Sequence, residues 1–234
     1  MRLWIGTSGY SYREWTGAFY PEGLPAREML RHYAGRLSAV EINNTFYRLP
    51  TVGMLEGWAE QVPADFRFVL KASRRITHFK RLRDAAEETS YLLRTAGVLG
   101  ERLGAVLFQL PPDFKKDLSR LEEFLEQLPR TRAAFEFRHP SWFDDDVVAA
   151  LRAGGFALCG ADRAERPLES PFSTAEWGYL RLRRTYTDED LAAWAQKVTA
   201  QPWEDAFVFF KHEQEAQSPL WAARFRELTS AGRG

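Results

Sequence analysis

Short apolar stretches recur along the whole chain, the one at Val40 alternating apolar and polar positions with a period of two, and amphipathic segments of helical period lie between most of them. The stretches are Leu3-Trp4-Ile5-Gly6, Val40-Glu41-Ile42-Asn43, and the runs at 66–71, 105–109, 133–138, 156–160, 179–183 and 207–211. Helices are expected near 26–37, 53–61, 84–101, 118–127, 147–153 and 220–228, with another opened by Thr187, whose partner Asp190 sits three residues on as in a capping box. Residues 162–176 lack a helical pattern, so the sixth helix is expected to be missing. Eight strands alternating with helices predict an α/β fold with a parallel sheet. That count in this length predicts a single-domain TIM-type (β/α)8 barrel over residues 1–234. The rival is an open doubly wound sheet, which commonly carries a glycine-rich phosphate loop after its first strand. Gly6-Thr7-Ser8-Gly9 lacks that spacing. A long loop carrying Tyr10, Tyr12, Trp15, Phe19 and Tyr20 follows it instead. Such a loop either covers a guest or plugs the barrel mouth.

Strand parity sorts the polar residues. Glu41 shares a face with Asn43, Lys71 with Ser73, Glu136 with Arg138, and Tyr179 with Arg181 and Arg183. Gln109 ends the face begun by Ala105 and Leu107, Asp162 falls with Gly160 and Leu158, and Lys211 follows Phe209. Nearly every strand thus turns polar on one face near its C-terminal end, where barrels of this type build sites. Mutually paired charges filling the upper barrel are the plain structural alternative. Burying so many ionisable groups is costly, however, and an apolar plug would serve stability better.

The chain has 32 basic and 32 acidic residues, so no global pull toward nucleic acid or membrane follows. One cysteine, Cys159, precludes an internal disulfide. With no apolar signal run at the start, a cytoplasmic protein is expected. No stretch is apolar for long enough to span a bilayer. Locally the balance shifts: Glu41, Glu136 and Asp162 face Lys71, Arg138, Arg181, Arg183 and Lys211, an excess of positive charge that suits a phosphate or carboxylate.

The first reading is therefore a cofactor-independent, metal-independent barrel enzyme acting on a small anion. Glu41 and Glu136 are its candidate acid and base. Lys71 would orient the anion, act as a base, or form a Schiff base. Arg138, Arg181, Arg183 and Lys211 would hold the anion, with Asn43, Gln109 and Asp162 supplying further polar contacts. Ser8, Tyr10, Tyr47 and Trp142, just beyond strand ends, complete the candidate contacts. The second reading is a metal-dependent phosphodiesterase or DNA-repair-like endonuclease with Glu41, Glu136, His139 and Asp162 as ligands, and His78 and His212 as further donors. Its weakness is the surrounding cations, which repel a metal. Arg74, Arg75, Lys80, Arg81 and Arg83 offer contacts to a nucleic-acid backbone, although a solvated helix-entry face explains that run more simply. The third reading is a ligand-binding protein without turnover.

Several runs are long and unusual: Ile5-Gly6-Thr7-Ser8-Gly9-Tyr10, Trp15-Thr16-Gly17-Ala18-Phe19-Tyr20-Pro21, Val40-Glu41-Ile42-Asn43 with Thr45-Phe46-Tyr47, and Phe68 to Lys71 with Ile76-Thr77-His78. Phe108-Gln109-Leu110-Pro111-Pro112, Phe135-Glu136-Phe137-Arg138-His139-Pro140-Ser141-Trp142 and Tyr179-Leu180-Arg181-Leu182 continue the series. With these, the chain resembles the domain of unknown function 72 family, also called YecE-like, along essentially its whole length. The resemblance implies a TIM-type barrel and brings no assigned reaction. Two strand ends depart from the family pattern. Arg183-Arg184 stand where a His-Gly pair is usual, and Phe210-Lys211-His212-Glu213 where a Phe-Asn-Asn-type run is usual. Both changes add positive charge.

Overall fold

The computed structural model describes residues 1–211 and 216–231. Nine strands form one parallel sheet: β1 (Arg2–Ser8), β2 (Ala39–Ile42), β3 (Arg67–Lys71), β4 (Leu103–Gln109), β5 (Ala133–Glu136), β6 (Ala157–Leu158), β7 (Gly160–Asp162), β8 (Trp177–Leu182) and β9 (Asp205–Phe210). Their order is β6-β5-β4-β3-β2-β1-β9-β8-β7. Only Cys159 separates β6 from β7, so the two ends of the sheet meet and the barrel is closed but for that seam.

The nine strands are the eight expected ones with the sixth divided. Ala157 and Leu158 pair with β5, whereas Gly160 to Asp162 pair with β8. The strand changes neighbours at Cys159, whose amide still donates to the Phe135 carbonyl at 2.8 Å. Gly160 permits the change: a side chain there would begin 2.7 Å from Leu168.

The helices are α1 (Met29–Ala34), α2 (Asn44–Tyr47), α3 (Val52–Ala59), α4 (Ala86–Ala96), α5 (Leu118–Glu126), α6 (Asp145–Ala153), α7 (Asp188–Thr199) and α8 (Gln217–Ala231). Residues 163–176 contain no helix, matching the pattern of the sequence. Thr187 and Asp190 form the reciprocal capping box that opens α7. The single turn α2 and a π-helical turn at Arg75–Phe79 replace segments that carry no helical period. None of the helices among the described residues is long and apolar enough to cross a membrane.

Large and small side chains complement each other in the barrel interior. Trp177, Tyr179, Phe207 and Phe209 fill the side of β8 and β9, and Ala39, Ala105, Ala134 and Ala157 face them. Outside, two further apolar layers lie between strands and helices. The aromatic loop after β1 belongs to the outer layer. Trp15, Phe19 and Tyr20 are buried with Met29, Leu30 and Tyr33 of α1. These rings cushion the barrel wall.

Candidate functional site

The upper barrel is built around Arg181. This β8 residue is 2% exposed and lies between two fully buried carboxylates. Its Nη2 donates to Glu41 Oε1 at 2.8 Å and its Nη1 to Glu136 Oε2 at 2.5 Å. Glu41 also accepts from the Ser8 hydroxyl at 2.7 Å and the Tyr179 hydroxyl at 2.8 Å. Glu136 accepts from Gln109 Nε2 at 2.8 Å and from Arg163. Each carboxylate oxygen thus has at least one donor, as a buried charge requires. Burial opposes the ionisation of Glu136, but Arg181 and Arg163 outweigh it and hold the carboxyl far below its ordinary range. A carboxylate so held is a poor proton donor or acceptor near neutrality.

Lys71 differs from these two glutamates. It ends β3, is 9% exposed, and its ammonium has neither a carboxylate within ion-pair reach nor a hydrogen-bond acceptor among the described residues. Its Nζ lies 4.1 Å from the centroid of the Phe46 ring. Burial, and after it the Arg181 charge, lower its pKa from 10.5 to about 8. The short helix α2 explains the placement. Thr45 is buried, and its hydroxyl lies 3.1 Å from the Ile42 carbonyl and 2.7 Å from the Lys71 carbonyl. This pins the turn against the end of β3 and sets Phe46 beside the amine. The π-helical turn positions His78, whose ring packs edge-on against Phe46 at 4.9 Å and whose Nδ1 meets the Thr77 hydroxyl at 2.9 Å. Burial, then Lys71 and Arg138, lower His78 to about 4, so its imidazole is neutral at pH 7. Arg81, Leu82 and Asp84 follow with positive φ, a left-handed cluster that non-glycine residues rarely adopt.

Arg138 and Arg183 are half-buried and make no ion pair among the described residues, and the Arg138 Nε is buried without a partner. Burial lowers both pKa values, Arg163 adding to the effect at Arg138 and Arg181 at Arg183. Arg138 and Arg163 line a cavity of about 120 Å³ with Phe137, Phe143, Cys159 and Ala161. The cavity lies at the barrel seam, where β5 has ended and β7 pairs only with β8. Lys211 is half-buried just past β9, and its amide donates to the Leu182 carbonyl at 3.0 Å.

Several expected contacts lie elsewhere. Asp162 is buried on the outer face of β7. It accepts from the Leu168 amide at 2.9 Å, Arg184 Nε at 2.8 Å and the Tyr186 hydroxyl at 2.8 Å. Leu158 shares that face and packs in the outer layer, whereas Cys159 faces the interior. Arg163 continues the inward set from Cys159 through Ala161, a signal that parity carried and the reading passed over.

Trp142 is fully buried in the outer core, stacked on Phe137 at 4.6 Å, with its indole donating to the Phe114 carbonyl at 2.7 Å. Tyr10 packs against the outer layer at 6.2 Å from Tyr33. Tyr47 is 66% exposed at the rim beside Arg74. Asn43 is half-buried and already in helical conformation, because the chain leaves β2 before it.

The alternative metal set does not assemble. Asp162 points away, and His139 Nδ1 is engaged by the Ser141 amide at 3.1 Å and lies 2.8 Å from the Ser141 hydroxyl. Among the described residues no three His, Cys, Asp or Glu side chains converge as a ligand group. His212 lies outside the described residues.

Comparison with known proteins agrees with the architecture. Residues 4–233 match the family described as Protein of unknown function DUF72. UPF0759 protein YecE of Escherichia coli, strains K12 and O157:H7, is 32% identical over 143 residues, which cover 60% of this chain and 50% of that protein. The match thus spans about half the length of these curated relatives. A crystal structure of a DUF72 family protein from Thermotoga maritima superposes with a TM-score of 0.86 at 26% identity, covering 98% of this chain and all of that one. One from Enterococcus faecalis gives 0.82 at 19% identity, over 97% and 95% of the two chains, a likeness of fold. The chain is a member of the DUF72 family.

Proposed function

We propose that this protein is a metal-independent barrel enzyme that binds a small phosphate- or carboxylate-bearing substrate at the C-terminal end of its strands. One observation carries the reading: among the described residues Lys71, Arg138 and Arg183 have no carboxylate partner, while Glu41 and Glu136 are saturated by Arg181, Arg163, Gln109, Ser8 and Tyr179. Removing Asp162 from the interior and adding Arg163 enlarges the cationic excess. An anion would satisfy guanidinium groups that now lack partners, and charge-assisted bonds of that kind are the strong ones. With the glutamates committed to fixed bonds, Lys71 is the group best able to exchange a proton or attack an electrophile near neutrality.

A thermal-shift screen of phosphate, sulfate, sugar phosphates, nucleotides and small carboxylates tests this reading. A binder at 100 times its Kd stabilises by about 2.7 kcal/mol. The same anion should lose its effect on Arg138→Met and Arg183→Met, whose melting in its absence stays cooperative. Turnover of the best binder then separates an enzyme from a protein that only binds. No shift from any anion overturns the proposal.

A further inference from the structure

Among six lysines, Lys71 alone is buried; Lys211 is half-buried, Lys80 is bonded to Glu88 and Lys116 to Asp144 and Asp146, and Lys115 and Lys197 face solvent. A lysine near a carboxylate keeps its proton and cannot attack. Lys71 has no such partner among the described residues, and burial, then the Arg181 charge, discourage its protonation. Its nitrogen therefore carries a usable lone pair in a substantial fraction of molecules near pH 8. The amine lies under the Phe46 ring and Lys71 is 9% exposed, so water is scarce around it, which favours condensations that release water. Arg138, whose charge acts on the same His78 as that of Lys71, and Arg183, on which Arg181 acts, make no ion pair among the described residues and provide for a charged handle on the reacting molecule.

We propose that Lys71 is a carbonyl-trapping amine, condensing with the aldehyde or ketone of a small compound whose phosphate or carboxylate is held by Arg138 and Arg183. The inference rests on the anion-binding reading above and names the substrate class. The Lys71 Nζ lone pair forms a bond to the carbonyl carbon, and the C=O π pair moves to oxygen. That oxygen takes up the proton the nitrogen sheds, giving a carbinolamine. The hydroxyl then takes a second proton from solvent and leaves as water while the nitrogen pair closes the C=N bond, and the iminium nitrogen returns its remaining proton to solvent. Amine plus carbonyl thus gives imine plus water, with no change of oxidation state. His78, neutral and resting on the same Phe46 ring as Nζ, is suited to carry the proton between nitrogen and oxygen.

Reductive trapping tests the proposal. The full chain is incubated with cyanoborohydride and glyoxylate, pyruvate or glycolaldehyde phosphate, with neutral glycolaldehyde as the uncharged control. Intact mass should rise by one carbonyl compound less water plus two hydrogens, and peptide mapping should place the adduct on Lys71. Lys71→Arg should abolish it, and Arg138→Met should slow trapping of the anionic compounds about tenfold while sparing glycolaldehyde. Label on Lys211, label spread over Lys80, Lys115, Lys116 and Lys197, or label unchanged in Lys71→Arg overturns the inference. Equal trapping of charged and uncharged aldehydes overturns the role given to the guanidinium groups. If phosphate raises the melting temperature but nothing is trapped, the anion site stands and the imine falls. If neither occurs, both fall.

Discussion

Glu41 on β2 and Glu136 on β5 share one guanidinium, each bonded to a different terminal nitrogen of Arg181. Two like charges are tolerated in one dry interior because a cation lies between them. Removing that cation leaves both carboxylates buried and facing each other. Arg181→Met should therefore cost about 3–5 kcal/mol, the usual penalty for orphaning a buried charge. Urea denaturation gives the value. Combining it with Glu41→Gln and Glu136→Gln should recover most of the loss, because the amides carry no charge to strand. A single-variant loss under about 1 kcal/mol would show that water already reaches the pair.

Lys71 should behave oppositely. Its ammonium is buried without an ion-pair partner among the described residues, so the folded state disfavours the charged form. Below about pH 8 both folded and unfolded chains carry the proton, and the burial penalty is fully present. Between about pH 8 and 10.5 the unfolded amine holds a proton that the folded one has released, so stability rises with pH across that window. Lys71→Met fills similar space without charge. It should stabilise the protein at pH 7 by about 1 kcal/mol, about 2–4 °C in Tm for a chain of this size. The gain should shrink by pH 10, and anion binding should weaken in the same variant. A loss of stability at pH 7 would place an unrecognised partner beside the amine.

Acid should act through His78 and Glu136. The imidazole titrates near 4 when folded and near 6.5 when unfolded, so the unfolded chain binds the extra proton between these values. Stability then falls as pH drops from about 6.5 to about 4. Glu136, held well below its ordinary 4.5, contributes stability that is full above about pH 4.5 and lost as pH falls further. Denaturation curves at pH 7, 5.5 and 4.5 should show the first slope in the parent chain and not in His78→Gln. An equal slope in that variant would assign it to other groups.

Alternation made the barrel legible, because a strand covered on both faces must still place its polar residues on one side. That logic located Glu41, Lys71, Gln109, Glu136 and Arg181 in the interior. It failed at Asp162, where the acid was counted inward although Leu158 of the same parity packs under the helices. A carboxylate on the outer face can be satisfied by Arg184 and Tyr186, and pattern alone does not reveal those partners. Trp142 and Tyr10 misled for another reason. Both lie beyond strand ends, where parity lapses and the path of the chain decides. The sharing of Arg181 between two glutamates was not legible, because it depends on barrel closure bringing β2, β5 and β8 around one point.

Closure at β1 and β2 depends on one hydroxyl and one missing side chain. The Tyr33 hydroxyl donates to the Ala39 carbonyl at 2.8 Å and accepts from the Thr7 amide at 2.8 Å, entirely out of solvent. It stitches the two strands where Gly6 pairs with Ala39. A Cβ on Gly6 would stand 1.8 Å from the Ala39 carbonyl oxygen and 2.8 Å from the Tyr33 hydroxyl. Tyr33→Phe leaves a buried amide and carbonyl short of a partner and should cost about 1–3 kcal/mol. Gly6→Ala must displace backbone and should cost about 3 kcal/mol or more. The double variant separates the two obstacles. Removing the hydroxyl gives the new methyl one neighbour fewer but leaves the carbonyl in its path, so Tyr33→Phe should not rescue Gly6→Ala. Recovery of more than about 1 kcal/mol in the double variant, measured by urea titration, would show that the hydroxyl rather than the carbonyl sets the requirement for glycine.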